Sequence, residues 1–162
     1  MELPEEYRKW YKNTDGSCVQ CSIGMNALWL NVPEAYTLLW DTDYGKAERR
    51  GAWFERVEKY AKERGFKIYN IEGNPRDTIK WIEMSAITGR FCAMSFGTAH
   101  FQTLYGWDYE NDIFYVVDNN SPHKIDKYNR RDFLRMHGMG GGVGWVVILD
   151  TVPTPPLPVY LQ

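Results

Sequence analysis

The feature that most constrains the fold and the chemistry of this chain is a cysteine at the junction of a polar loop and an apolar segment. Residues 13–23 have the sequence NTDGSCVQCSI, so Cys18 directly precedes a run with apolar residues at helical spacing. At a helix start, the free N–H groups and the positive end of the dipole favour a thiolate over a thiol. The same N–H groups can stabilise an oxyanion. The stretch therefore predicts a cysteine nucleophile, provided that a base lies near it.

Size and charge narrow the class of protein. The 162 residues suit one domain with a hydrophobic core. Lys and Arg total 19 against 21 Asp and Glu, so binding to nucleic acid is not predicted. Three cysteines cannot form a closed disulfide framework, and we recognise neither a signal peptide nor a membrane-spanning run. We therefore expect a reducing compartment, the cytoplasm of a bacterium or of a host cell, and no membrane partner.

The hydrophobic period changes along the chain from helical to alternating. Helices are predicted over about 17–30, from 33 onward, over 47–64 and over 74–89, with a strand over 66–71. Further strands are predicted over 91–96, 101–107, 113–117 and 145–149, with a short helix over 129–137. We expect an α+β domain over residues 1–150, in which an N-terminal helical half packs on a C-terminal antiparallel sheet half. Residues 151–162 are rich in proline and are predicted to form an extended tail.

Three histidines could supply the base. His123 lies in a polar loop, and His137 ends a short helix, where a cation suits the helix dipole. His100 follows the small-residue turn 97–99 and opens a strand, which would hold its side chain rigidly at the mouth of a groove. We therefore predict His100 as the base.

Hairpin geometry predicts a carboxylate beside this histidine. The strand over 101–107 turns back into the strand over 113–117, which Asp118 follows. Antiparallel pairing brings the end of the second strand beside the start of the first. A carboxylate there would fix the imidazole tautomer and stabilise the imidazolium. Asn119 and Asn120 are close enough to fill the same role, so the third member stays open among these three residues.

Two further features concern the thiol. Asn13 lies five residues before Cys18, and its amide can donate a hydrogen bond to an oxyanion. Cys18 and Cys21 form a Cys-x-x-Cys pair, and either could be the nucleophile. A zinc site would normally need two further ligands, and the sequence offers no second pair. Neither a metal nor another cofactor is predicted.

The order of these residues resembles that of the papain-like cysteine peptidases. Within that group, the motifs are most similar to the leader-proteinase family of foot-and-mouth disease virus. That family has an Asn five residues before its Cys and a small residue four after it, as Asn13 and Ser22 stand to Cys18 here. It also has a His that opens a strand and an aromatic-apolar strand that ends in Asp, like His100 and Asp118. The C39-like peptidases share the same order of elements.

Two other resemblances leave alternatives open. Residues 16–21 also resemble the segment around the cysteine of papain, and in that register Cys21 is the nucleophile. Asp15 would then take the oxyanion position, where an ionised carboxylate is a poor donor, and this favours Cys18. Residues 15–18 resemble the ovarian-tumour deubiquitinases, which would imply an isopeptidase acting on a ubiquitin-like protein.

The resemblance implies a cysteine endopeptidase that acts on protein or peptide through a thioester. It assigns Cys18 as nucleophile, His100 and Asp118 as its catalytic partners, and Asn13 as the oxyanion donor. A viral leader-type protease that meets host proteins and trims its own C-terminus is one implication, because the tail ends in VYLQ. A papain fold without activity, which serves as an interaction module, is the remaining alternative.

Overall fold

A six-stranded antiparallel sheet with helices on both faces forms the body of the protein. The computed structural model describes residues 18–36 and 54–151. The helices are α1 (Cys18–Leu30), α2 (Pro33–Tyr36), α3 (Phe54–Arg64), α4 (Pro75–Ile87) and α5 (Arg130–His137). The strands are β1 (Ile68–Gly73), β2 (Cys92–Ser95), β3 (Phe101–Asp108), β4 (Ile113–Val117), β5 (Ile125–Asn129) and β6 (Gly144–Leu149).

The strand order in the sheet is β1-β6-β2-β3-β4-β5, and all neighbouring pairs are antiparallel. The hairpin of β3 and β4 has a register shift between Leu104 and Gly106. The last strand, β6, lies between β1 and β2. The sheet is therefore complete only when the C-terminal part of the described chain inserts between two strands that come earlier in the sequence. No described helix is long and apolar enough to span a membrane.

The alternation of side chains along the strands creates a core on each face of the sheet. The core on the first face joins α1, α2 and α3 to the sheet, and it includes Val19, Ile23, Ala35, Val57, Phe101 and Val147. The core on the second face joins α4 and α5 to the sheet, and it includes Ile79, Ile82, Met94, Phe114, Phe133 and Ile148. Cys18 belongs to the first core, which places the thiol on the face covered by α1.

Side-chain caps explain where two helices begin. The Asn74 side chain accepts a hydrogen bond from the N–H of Arg76 at 3.0 Å, and Pro75 occupies the first helical position of α4. Asn129 accepts in the same way from the N–H of Asp132 at 2.8 Å at the start of α5. Both starts are visible in the sequence because the capping residue and the helical residues after it are local signals.

The predicted mixture of helices and an antiparallel sheet is confirmed. The division into a helical half and a sheet half describes it only in part, because β1 precedes α4 in the chain and because α4 and α5 cover the second face. The sequence reading missed β5, whose residues (IDKYN) are half-buried or exposed at an edge of the sheet and lack apolar alternation. Residues 47–53 of the predicted third helix and the tail from 152 lie outside the described residues.

Replacement of a stacked phenylalanine tests how much the core on the second face contributes to stability. Phe133 of α5 is fully buried and stacks on Phe114 of β4, with ring centroids 4.2 Å apart. We expect Phe133→Ala to lower the free energy of unfolding by about 3–5 kcal/mol, because it removes buried apolar surface and leaves a cavity. Ile87→Ala is the control, because Ile87 is 63% exposed and its loss should cost less than about 0.5 kcal/mol. Urea denaturation measures both, and similar losses would contradict the assignment of this core.

Candidate active site

His100 and Asp118 meet where the β3–β4 hairpin opens. The Nε2 of His100 lies 2.8 Å from Oδ1 of Asp118. The carboxylate can only accept, so Nε2 carries the proton and donates it. A tight turn before β3 fixes the imidazole: the N–H of Phe96 donates to the carbonyl of His100 at 2.9 Å. Ala99 within that turn has a φ of 48°, a backbone conformation that costs a non-glycine residue energy.

The electrostatics of this pair favour a charged imidazole. The hydrogen bond to Asp118, followed by the one to Cys18, raises the pKa of His100 from 6.5 to about 9, although burial opposes the charge. Burial works against ionisation of Asp118. The hydrogen bond from His100 and the one from the N–H of Asn120 outweigh it, so the pKa of that carboxyl is lowered. The pair is therefore an imidazolium and a carboxylate at neutral pH.

Cys18 is the thiol that faces this imidazole. It opens α1, is 8% exposed and lines the same groove as His100, and its interaction with the imidazole contributes to the raised pKa of His100. Because Nε2 is taken by Asp118, Nδ1 is the ring nitrogen left for the sulfur. A thiol, an imidazole and a carboxylate are thus joined in sequence, which permits proton transfer between sulfur and nitrogen with the ring held in one tautomer.

The other two thiols lie elsewhere. Cys21 is buried in a cluster with Met25, Tyr105 and Val117, which does not contain His100. Cys92 is buried in the core on the second face, and burial raises the pKa of its thiol to about 12, against a hydrogen bond with Ser85. A thiol with so high a pKa is unreactive at neutral pH.

Asn119 does not contact His100, and it holds the surrounding backbone instead. Its fully buried Nδ2 lies 2.7 Å from the carbonyl of Phe101, 2.9 Å from Oγ of Ser22 and 3.2 Å from the carbonyl of Cys18. It therefore ties the first turn of α1 to the start of β3, next to His100. The sequence suggests this residue only as an alternative third member of a triad. The signal in the sequence was its position directly after Asp118.

The remaining predicted residues have other surroundings. Asn120 is exposed and contributes its backbone N–H to Asp118. His137 is fully buried: its Nδ1 donates to the carbonyl of Ser95 at 2.8 Å, and its Nε2 lies 2.7 Å from Oγ1 of Thr78. Burial lowers its pKa more than the bond to Ser95 raises it, so His137 is a neutral structural residue. His123 is exposed in a turn, and Asn13 lies outside the described residues.

An open groove of about 490 Å³ gives access to the thiol. Cys18 and His100 line one part of it, and Glu72, Trp145 and the glycine-rich segment 140–143 line another. This volume lies within the range of pockets that bind ligands in other proteins. Within residues 18–36 and 54–151, no group of three or more His, Cys, Asp or Glu side chains is placed to hold a metal ion.

Comparison with known proteins gives weak likenesses. No family model matches the chain, and no curated protein does. The peptidase domain of Streptococcus ComA, a bifunctional ABC transporter involved in a quorum-sensing pathway, resembles it with a TM-score of 0.49 and 16% identity over 82% of this chain and 92% of that one. The peptidase domain of Streptococcus mutans ComA, solved with a small-molecule inhibitor, has a TM-score of 0.41 and 16% identity over 62% and 75%. Similarities this low leave the function to the geometry of the site.

Replacement of Asn119 tests its role as a tie between segments. We expect Asn119→Ala to lower the free energy of unfolding by about 1–3 kcal/mol, because it removes the buried hydrogen bonds from the amide to α1 and to the start of β3. The neighbouring Asn120→Ala removes an exposed amide and should cost less than about 0.5 kcal/mol. Denaturant titration of the two variants measures the difference. Equal losses of unfolding free energy in the two variants would show that the buried amide of Asn119 contributes no more to stability than an exposed one.

The raised pKa of His100 predicts a pH-dependent contribution to stability. A pKa that is higher in the folded state stabilises the fold fully below the unfolded value of 6.5, and this contribution is lost as pH rises through about 9. Asp118→Asn removes the largest cause of the shift. The excess stability of the wild type over this variant should therefore shrink as pH rises from 6.5 to 9.

Asp126→Asn is the matched control for that series. Asp126 pairs with Lys124 at 3.2 Å, and lysine does not ordinarily titrate in this window. Its effect on the free energy of unfolding should stay constant across the series. An Asp118→Asn effect that is equally constant would contradict the raised pKa.

Proposed function

We propose that the protein is a papain-like cysteine peptidase that hydrolyses peptide bonds through a thioester. Cys18 is the nucleophile, His100 the acid and base, and Asp118 the residue that orients the imidazole. Asn13, the proposed oxyanion donor, remains a prediction from the sequence. The observation that carries the proposal is that Cys18 and His100 line the same open groove, while Asp118 holds the imidazole at 2.8 Å.

The first half of the proposed reaction forms a bond to sulfur. Transfer of the proton from Cys18 to His100 produces a thiolate beside an imidazolium, and the hydrogen bond to Asp118 stabilises that imidazolium. The thiolate attacks the carbonyl carbon of a peptide in the groove. The oxyanion accepts hydrogen bonds from the backbone N–H at the start of α1 and from Asn13. The imidazolium then protonates the leaving amine as the C–N bond breaks.

The second half releases the acid product. A water molecule gives a proton to the neutral imidazole and attacks the thioester carbonyl. The C–S bond breaks, and the proton on His100 again pairs with the thiolate of Cys18. Asp118 keeps its charge throughout, because its role is to hold the Nε2–H of His100 and stabilise the imidazolium.

The finer readings are separate proposals. Viral origin, host targets and trimming of the tail from 152 onward rest on the resemblance in sequence alone, and the two solved structures named above are peptidase domains of Streptococcus ComA, not viral leader proteinases. An isopeptidase acting on a ubiquitin-like protein would use the same three residues. A fold without activity would keep the hydrogen bonds but not the reactivity.

Selective loss of the thiol tests the proposed function. Wild type should hydrolyse a protein or peptide mixture and react with a peptide that carries a thiol-directed warhead, with one adduct per chain at Cys18. Cys18→Ala should abolish both the hydrolysis and the adduct, as judged by mass spectrometry of the products and of the intact chain. His100→Ala should reduce hydrolysis by at least about 100-fold, the ordinary contribution of a general base.

Cys21→Ala is the matched control, because it removes a buried thiol from the same helix at a position that does not line the groove. It should keep both activities. Activity that survives Cys18→Ala and disappears in Cys21→Ala would move the nucleophile. Slow alkylation of Cys18 with no hydrolysis of peptides or of ubiquitin-like conjugates would instead favour an inactive interaction module.

A further inference from the structure

The groove beside Cys18 has an uneven distribution of charge. Two exposed carboxylates, Glu55 and Glu72, line it together with Cys18 and His100. Its lining includes no lysine or arginine from residues 18–36 and 54–151. The charge of His100 is already matched by Asp118, which holds it at 2.8 Å. The two glutamates therefore leave the described wall of the groove with unbalanced negative charge.

Aromatic rings stand next to these carboxylates. Phe54, Phe101 and Trp145 line the same groove, and the rings of Phe101 and Trp145 meet edge to face with centroids 4.5 Å apart. Glu72 and Trp145 are directly paired across β1 and β6, so their side chains lie side by side on one face of the sheet. Aromatic faces and carboxylates both attract cations, and together they form the surroundings that a guanidinium or an ammonium group prefers.

Hydrogen bonds hold this wall in place before any ligand arrives. The indole N–H of Trp145 donates to Oδ1 of Asn70 at 2.6 Å, and Nδ2 of Asn70 donates to the carbonyl of Phe54 at 3.0 Å. Asn70 thereby fixes the first turn of α3, which carries Glu55, against the Trp145 ring.

We propose that the groove binds a peptide segment bearing lysine or arginine close to the bond that is cleaved. The basic side chain would lie against Trp145, with its charge toward Glu55 and Glu72. This inference rests on the proposed peptidase function, and it adds the charge class of the substrate. Because both carboxylates are exposed, each supplies a modest, salt-dependent preference, and the two act in the same direction.

Two charged thiol reagents measure the potential of the groove without any substrate. Trimethylammonioethyl and sulfonatoethyl methanethiosulfonate each transfer a thioalkyl group to the thiolate, form a disulfide and release methanesulfinate. Their charges are opposite, while their reaction with sulfur is the same. The ratio of their rates at Cys18, followed by peptide mapping, reports the local charge. Glu55→Gln combined with Glu72→Gln should lower the cation-to-anion ratio about fivefold at low salt, and 1 M salt should remove most of the difference.

The matched control makes the same change of charge outside the groove. Glu58→Gln combined with Glu63→Gln alters two exposed glutamates of α3 that do not line the groove. This pair should change the ratio by less than about twofold, since only screened, long-range charge is lost. Equal effects of the two pairs, or no effect of the groove pair, would overturn the inference.

Peptides then test the substrate class itself. Matched peptide libraries, with lysine, glutamine or glutamate near the cleaved bond, should give kcat/KM values in the order lysine, glutamine, glutamate. The groove pair of substitutions should reduce the difference in kcat/KM between the lysine and the glutamate series, because the charge that separates them is removed. Hydrolysis that depends on Cys18 but ignores charge would overturn the inference and leave the peptidase function standing. A groove that prefers the cationic reagent in a protein that hydrolyses nothing would overturn the peptidase function alone.

Discussion

The hydrogen bond between His100 and Asp118 is the interaction on which the candidate site depends. It exists because β3 and β4 are adjacent antiparallel strands, so the residue that precedes β3 and the residue that follows β4 meet at the same edge. The bond occupies Nε2 of His100 and leaves Nδ1 of the same ring available to Cys18. It also raises the pKa of the imidazole, because the carboxylate of Asp118 stabilises the imidazolium.

Two histidines of this chain show how surroundings decide the role of one residue type. His100 is only partly buried and faces a carboxylate, and its pKa is raised. His137 is fully buried between Thr78 and the backbone of Ser95, and its pKa is lowered. The first can carry charge in a reaction, whereas the second is a neutral link between α4, α5 and β2.

The buried amide of Asn119 connects stability to the proposed chemistry. It bonds the carbonyl of Cys18 and the carbonyl of Phe101, so the helix that carries the thiol is fastened to the strand that carries the imidazole. Such bonds in a buried site are costly to lose, because water does not readily replace the missing donor. Alignment of sulfur and imidazole is therefore part of the packing of the first face and needs no substrate to establish it.

The sequence by itself determined the local features. Helix starts at Asn74 and Asn129, the hairpin that pairs β3 with β4, and the placement of Asp118 beside His100 all follow from short-range patterns of capping, alternation and turn length. The same signals failed for β5, because an edge strand with exposed faces does not alternate. They also failed for the layering, because nothing local indicates that α4 and α5 cover the second face.

Only the tertiary structure decided which cysteine of the pair lines the groove with His100 and which partners the residues after β4 bind. Cys18 and Cys21 are three positions apart on one helix, and which of them faces the imidazole depends on how α1 is rotated against β3. Asp118, Asn119 and Asn120 are consecutive, and their partners depend on which side chains point into the core. Rotation of a helix and the direction of a side chain are set by packing between distant segments, which no local pattern in the chain records.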